Sequence, residues 1–258
     1  MNKKDAEKIV RRRTAPSLFD YCYITTRGHL KSFLVFKQLI KKEHAPLAFL
    51  DLGCGYKPFK KILKDINIEK YVGVDFDRNR SAADVESSID ILPFTTDSFD
   101  AIIASEVLEH VPHPEDAVKE MRRVAKNGTL VYISTPFVLG EHGTPYDFQR
   151  ITRFWYREFF REDEILLLRG TNSNLAIPFF VSNVILENIA ILKIIPLLPQ
   201  LWYFINNVMA IFAEVTVRFI NIVASIIFMR SRAKVAEIMS IYFYTMPAGL
   251  DVIVKIKK

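Results

Sequence analysis

Short, nearly continuous apolar runs alternate with stretches of helical periodicity over the first two thirds of the chain. Strands are expected at 47–52, 70–75, 87–91, 99–104, 129–134 and 164–169, with a last one at 251–257. Helices are expected at 5–12, 28–43 and 57–65, and again from His113-Pro114 to Lys126. Proline suits the first helical position, and Asn127-Gly128 offers a glycine cap at the far end. Thr152 can cap a further helix through Phe160. Strands and helices in alternation argue a mostly parallel sheet covered on both faces, an α/β fold.

The pattern changes abruptly near the end. Residues 172–229 carry only four charges, Glu187, Lys193, Glu214 and Arg218, although Asp, Glu, Lys and Arg make up 25% of the chain. The run from 194 to 213 is uncharged and close to the length that crosses a hydrocarbon core, yet it contains Pro196, Pro199, Asn206 and Asn207. Three readings stay open. One is a hairpin with arms near 173–195 and 201–229, its ends flanked by Arg169 and by Arg230, Arg232 and Lys234, and so facing the cytoplasm. Another is a helix pair lying in the membrane interface with its charges at headgroup level. The third is a buried cap or dimerisation face. Glu214 and Arg218, four apart, can pair on one helical face.

The chemistry-bearing segment is Phe49-Leu50-Asp51-Leu52-Gly53-Cys54-Gly55-Tyr56, a strand running into a G-x-G turn. A second apolar strand ends in Asp75, where a carboxylate can accept hydrogen bonds from both ribose hydroxyls. A dinucleotide-binding turn needs a third glycine for close helix packing at its pyrophosphate site. Pro58 stands there instead, after Lys57, which disfavours a nicotinamide-dependent oxidoreductase.

The D-x-G-x-G order resembles the first motif of class I S-adenosylmethionine-dependent methyltransferases. The resemblance continues through the segment 88–137, which carries Leu92-Pro93-Phe94, Ser98-Phe99-Asp100, Glu109-His110-Val111 and Asn127-Gly128 in the family's order. It covers roughly residues 47–170 and the last ten residues. It implies a Rossmann-like doubly wound, mostly parallel seven-stranded sheet whose last strand is antiparallel, with the apolar helical insertion before that strand. It implies S-adenosyl-L-methionine as cofactor, with Asp51, Gly53 and Gly55 against its methionine portion and Asp75 on its ribose. Phe76 would flank the adenine, Ser88 would take the place of the family's adenine-binding Asp, with Asp90 nearby, and Ser105 and Glu106 would come near the reactive methyl. The division that follows is 1–45 as a basic helical segment, 46–171 with 248–258 as the methyltransferase core, and 172–247 as the insertion.

A base for the acceptor must sit at the carboxyl ends of the strands, where open α/β sheets bind ligands. Glu109-His110 qualifies, as does the loop after the fifth strand with Glu141, His142, Asp147 and Arg150. That loop resembles a segment of some bacterial family members associated with cell-surface glycan or lipid pathways. His142 is a candidate base, Asp147 its orienting partner, and His110 a second catalytic candidate. Glu109 and Arg150 are candidates for substrate binding, Arg150 through a phosphate or carboxylate on the acceptor. Purely structural roles stay open for both histidines, and Asp147 and Arg150 can pair simply to lock the loop. His29 and His44 carry no signal.

Charge and cysteine usage narrow the setting. The net charge of +6 is concentrated in residues 1–44, which hold eleven Lys/Arg and four Asp/Glu, a balance of +7. Such a leader attracts an anionic membrane surface or nucleic acid, or is simply a solvated helix. No N-P-P-Y-like run of the amino-methylating nucleic-acid enzymes is present, so no nucleic-acid partner is expected. Two distant cysteines give neither a disulfide framework nor a metal spacing, and no H-E-x-x-H pattern occurs, so no metal is expected. The leader lacks the apolar core of a secretory signal. The combined expectation is a methyltransferase acting on a hydroxyl of a lipid, isoprenoid-linked or lipid-linked glycan acceptor at the cytoplasmic face of the membrane. A soluble small-molecule or sugar methyltransferase and a non-catalytic cofactor-binding membrane scaffold are the rivals.

Overall fold

In the computed structural model, which describes residues 3–43, 45–188, 197–227 and 246–258, seven strands form one sheet. They are β1 (Leu47–Leu52), β2 (Ile68–Asp75), β3 (Val85–Glu86), β4 (Phe99–Ser105), β5 (Ala125–Pro136), β6 (Glu164–Gly170) and β7 (Gly249–Lys255). Their spatial order is β3-β2-β1-β4-β5-β7-β6. The strands from β1 to β5 pair in parallel, and β7 runs antiparallel to both β5 and β6. The Rossmann-like expectation, including the reversed last strand, is met. All the parallel strands therefore end at one edge, and the turns there carry the site.

The central strands are apolar on both sides because helices cover both faces of the sheet. On one face, α2 (Tyr23–Ile40) presents Phe33, Phe36 and Ile40 to Phe49, Phe59, Ile103 and Tyr132. The rings interlock, with Phe33 stacked on Phe59 at 4.2 Å and edge-on to Tyr132 at 5.5 Å. On the other face, α3 (Pro114–Val124) buries Ala117, Val118, Met121 and Val124, a stripe of helical period. Pro114 opens α3, acids occupy its first turn and Arg122 and Arg123 its last, which suits the helix dipole. Next to it, α4 (Arg153–Phe159) starts at Thr152, whose hydroxyl accepts the Trp155 N–H at 3.3 Å, and buries Tyr156.

Several expected boundaries move. The helix expected at 57–65 is only a 3-10 turn over Pro58–Lys61, because Lys57 is held left-handed (φ 51°) by the tight turn before it. The third strand is two residues long and lies at 85–86 rather than 87–91, and Ser87 and Ser88 are already in the turn beyond it. The helix before β5 stops at Val124, not Lys126, since Ala125 already pairs with Phe99. Asn127-Gly128 is thus not a helix cap. It bulges within β5, where the Gly128 N–H donates to the Ile256 carbonyl and Asn127 accepts from Lys258 N–H.

The leader α1 (Lys3–Thr14) packs against the 3-10 turn after β1 and against α2. Arg11 and Arg12 pair with buried Asp20, and Arg13 turns toward the tip of β4. In the insertion, α5 (Ile177–Asn188) packs on α6 (Leu197–Ile227). The asparagines that argued against a lipid span face inward. Asn183 and Asn207 bond at 3.2 Å, Asn206 reaches Ser182 and Asn183, and Asn207 donates to the carbonyls of Leu18 and Asp20. The outward face of α6 shows Trp202, Ile205, Met209, Phe212, Val215 and Phe219. Leu197–Val223 is long and apolar enough to cross a membrane by length and composition, with 28% of that window buried against the protein. Glu214 accepts a hydrogen bond from the Ser173 N–H in place of the expected partner Arg218. Lys193, Pro196, Arg230, Arg232, Lys234 and His44 lie outside the described residues.

Candidate active site

The turn after β1 is shaped by its two glycines. Gly53 (φ +60°) lies against Val107, whose Cγ2 would stand 2.5 Å from any added Cβ. Gly55 (φ +47°) faces open space, with nothing within 4 Å of that position, so its backbone forms a bare cradle at the strand tips. Asp75, at the end of β2, accepts the Gly55 N–H at 2.9 Å, which ties the two tips together. Asp51 is buried one turn below and accepts from the Tyr71 hydroxyl. Burial pushes its carboxyl up to about 7, against the pull of Tyr71 and Lys57.

The tip of β2 is more open. Phe76 is 63% exposed, and its ring lies 5.7 Å from that of Tyr146. The Ser88 hydroxyl is donated to Asp90 and both sit at the rim beyond β3, so the acid there is Asp90. Ser105 ends β4, buried, bonded to Ser134 at 2.8 Å and reached by Arg13 Nη1 at 3.3 Å.

Glu106 follows in a left-handed conformation (φ 55°), with Oε1 buried, unbonded and 3.5 Å from His29 Nε2. Burial raises the Glu106 carboxyl, with His29 pulling it back down. His29 sits in a buried network: its Nδ1 meets Asp251 Oδ1 at 2.6 Å, and Asp251 also accepts from Ser32 and Tyr132. Burial alone would lower the His29 imidazole, but Asp251 and Glu106 outweigh it and raise it to about 9. His29 and Arg13 were not singled out from the sequence. Their partners, Asp251 and Ser105, lie 222 and 92 residues away, so no local signal marks them.

The loop after β5 is stitched over the segment 108–111. Phe148 N–H donates to Glu109 O at 2.9 Å, Gln149 to Val111 O at 2.8 Å, and the His110 Nδ1 edge meets Tyr146 O. This brings His142 beside His110, ring centroids 5.0 Å apart. Both Nε2 atoms face Glu109 Oε1, at 3.7 Å from His110 and 3.8 Å from His142. Glu109 is fully buried and neither carboxylate oxygen has a hydrogen-bond partner. The three ligand atoms lie within 4.8 Å of one another, close enough to hold one metal ion, although the sequence suggested none. Two loops supply them, so no ligand spacing shows in the chain.

Asp147 Oδ2 lies 3.3 Å from His142 Nδ1 and accepts the His142 backbone N–H at 2.8 Å. Hydrogen bonds from Arg150 hold its carboxyl well below the usual range. Glu109 raises the His142 imidazole, with burial working against it. Arg150 forks onto Asp147 and also donates to the carbonyls of Leu139, Gly140 and Gln149. These bonds engage its guanidinium within the loop. Ser105, Glu106, His29, His110 and His142 line one cavity of about 300 Å³, together with residues of α1, α2 and Phe180 of α5.

Residues 50–133 match the family described as a methyltransferase domain. In sequence the core therefore resembles a methyltransferase domain, and its seven-stranded sheet has the Rossmann-like α/β fold. An uncharacterized methyltransferase of Mycobacterium leprae is 35% identical over 105 residues, 36% of this chain and 39% of that protein. One from Mycobacterium tuberculosis is 36% identical over 105 residues, 36% of this chain and 41% of that protein. The match thus spans about two fifths of the curated relatives. Among solved structures, the chain resembles in fold a SAM-dependent methyltransferase from Archaeoglobus fulgidus, with TM-score 0.51, 12% identity and coverage of 97% of this chain and 99% of that one. It also resembles the [4+2]-cyclase SpnF, with TM-score 0.53, 17% identity and coverage of 88% and 81%. At such identities the likeness shows the fold alone.

Proposed function

We propose that the protein methylates an oxygen of an apolar acceptor, a lipid, an isoprenoid-linked compound or a lipid-linked glycan, at the cytoplasmic face of a membrane. The observation that carries this reading is the shared cavity. Phe180, from the apolar insertion, lines the same pocket as Ser105, Glu106, His110 and His142. An acceptor reaching those residues passes along the insertion, whose outer face on α6 is apolar.

The cofactor fits what the residues offer: an open backbone cradle at Gly55, a carboxylate at Asp75, and Arg13 beside Ser105 for the methionine carboxylate. When bound, S-adenosylmethionine supplies an electrophilic methyl group. The chain's own task is to position the acceptor oxygen and take its proton as the new bond forms. His142, oriented by Asp147 and backed by Glu109, is the proposed proton acceptor, with His110 beside it.

A second reading of this cluster is a bound divalent cation that lowers the proton affinity of the acceptor hydroxyl. Two buried, unpartnered oxygens of Glu109 facing two imidazole nitrogens favour it. Titration with Co²⁺ separates the two, since visible absorption lost in Glu109→Gln marks a cation site and a featureless titration marks a metal-free base.

The function itself is tested by incubating the protein with labelled cofactor and extracted membranes. Label in the organic phase supports the proposal. Label confined to water-soluble acceptors replaces it with the soluble methyltransferase, and binding of the cofactor without transfer leaves only the scaffold.

A further inference from the structure

We infer that the methyl-transfer pocket holds a neutral polyhydroxylated unit, a sugar ring, recognised by Thr25, His29 and Glu106. The inference rests on the proposed function and deepens it, since it selects the lipid-linked glycan among the acceptor classes. Thr25 and His29 stand at i and i+4 on one face of α2, and Glu106 follows β4. All three line the cavity of about 300 Å³ that also holds His110 and His142. Each carries a buried polar atom with no hydrogen-bond partner among the described residues: Thr25 Oγ1, His29 Nε2 and Glu106 Oε1. Buried polar atoms in folded proteins are nearly always hydrogen-bonded, so three such atoms in the lining of one cavity mark groups that a ligand completes.

The fold keeps these groups from satisfying one another. His29 Nδ1 is engaged by Asp251 at 2.6 Å, and Asp251 is itself fixed by Ser32 and Tyr132, so the ring is held with Nε2 on its far edge. Gly249 leaves room for that ring, since a Cβ there would stand 2.9 Å from Nε2 and Cε1. Glu106 is set by its left-handed backbone (φ 55°), whose N–H donates to the Ser134 carbonyl at 2.8 Å. Its Oε1 stops 3.5 Å from His29 Nε2, close enough to balance charge and without a hydrogen bond.

Charge and direction together select the ligand. Because His29 and Glu106 already face each other, a cation would meet the imidazolium and an anion the carboxylate, and a neutral group meets neither penalty. The carboxylate accepts, the imidazolium Nε2–H donates, and the Thr25 hydroxyl does both. Neighbouring hydroxyls on a sugar ring each donate and accept, so a set of them meets all three. A lone hydroxyl on an alkyl chain, placed for His142, would leave the remaining atoms unpaired. Leu30, Phe59, Leu139 and Phe180 give the lining apolar surface for the C–H face of the ring and the start of its lipid. The cofactor turn is separate: Gly53, Gly55 and Asp75 are not among the described residues that line this cavity, and Arg13 is bonded to Ser105.

The test uses the full chain, labelled S-adenosylmethionine and extracted membranes. The organic-phase product is hydrolysed in aqueous acid, which cleaves glycosidic bonds and leaves methyl ethers intact. Label recovered in an O-methyl monosaccharide supports the inference. Label left on the lipid part overturns it while the proposed function stands. Label on a water-soluble glycan keeps the sugar site and removes the membrane acceptor, and no transfer at all removes both. Two variants read the residues: Glu106→Gln, and Thr25→Val, which nearly keeps the side chain's shape at a half-buried helix position. Each should lower kcat/KM for the membrane extract at least about tenfold, through the apparent KM, with S-adenosylhomocysteine affinity by calorimetry unchanged. Unchanged kcat/KM in both variants overturns the site. So does a parallel loss of S-adenosylhomocysteine affinity, which would assign these side chains to the methionine end of the cofactor.

Discussion

The two cavities flanking α2 have similar volumes, about 300 and 310 Å³, and different linings. On the methyl-transfer side charges answer one another: His29 lies between Asp251 and Glu106, and His142 between Asp147 and Glu109. On the far side the lining gathers Arg27, Lys31, Arg157, Arg169 and Arg218 with Glu214. The difference teaches how position sets the role of a charge. A wall that fixes imidazoles between carboxylates holds proton-accepting groups in set geometry and suits a reaction, whereas guanidinium and ammonium groups stay charged throughout the working pH range and move no proton.

The sharpest way to break this contrast is at His142. Replacement by Ala should lower turnover about 100-fold, the usual scale for a lost proton acceptor, with S-adenosylhomocysteine affinity unchanged. Unaltered turnover in a labelled-methyl assay would remove His142 from the chemistry. Next in size is Asp75→Ala, which should weaken S-adenosylhomocysteine binding about 10- to 100-fold by removing a charged hydrogen-bond acceptor. Intact affinity by calorimetry would move the ribose elsewhere.

A smaller effect is expected on α6. Phe212→Asp with Phe219→Asp should reduce co-sedimentation with anionic vesicles several-fold while leaving S-adenosylhomocysteine binding alone. Equal sedimentation would mean that this apolar face does not meet lipid.

The smallest prediction concerns pH and the wall of imidazoles and carboxylates. His29 is faced by Asp251 from β7, Glu106 after β4, Tyr132 from β5 and Arg13 from α1. Its folded value of about 9 lies above the ordinary imidazole value of 6.5. Its stabilisation is therefore complete below the lower value and is lost as pH rises through the upper one. The melting temperature should drop by roughly 2–8 °C between those limits, and Asp251→Asn should flatten the dependence. A wild-type melting temperature flat across that range would show that His29 does not titrate there.

What could be read from the chain differs between the two ends of the fold. The cofactor turn was legible because its determinants are local: Gly53, Gly55 and Asp75 act where backbone geometry and a strand end coincide. The reversed last strand came through the resemblance alone. The catalytic candidates His110 and His142 were named, but not that their Nε2 atoms converge on Glu109, since that depends on how the loop after β5 folds back. Arg150 was read either as a ligand for an acceptor's phosphate or as a lock on its own loop, and it is bonded to Asp147 and that loop. Arg27, Arg157 and Arg218 line one cavity although each is unremarkable singly in sequence.

By itself the sequence determined the sheet, the glycine turn and the existence of an apolar insertion, because period, glycine placement and hydropathy are properties of neighbouring residues. Tertiary structure alone decided that Asn206 and Asn207 turn inward while Phe212 and Phe219 face out, and that arginines from α2, α4, β6 and α6 meet. Those outcomes depend on which helix packs on which, and packing is set by side chains that lie scores of residues apart.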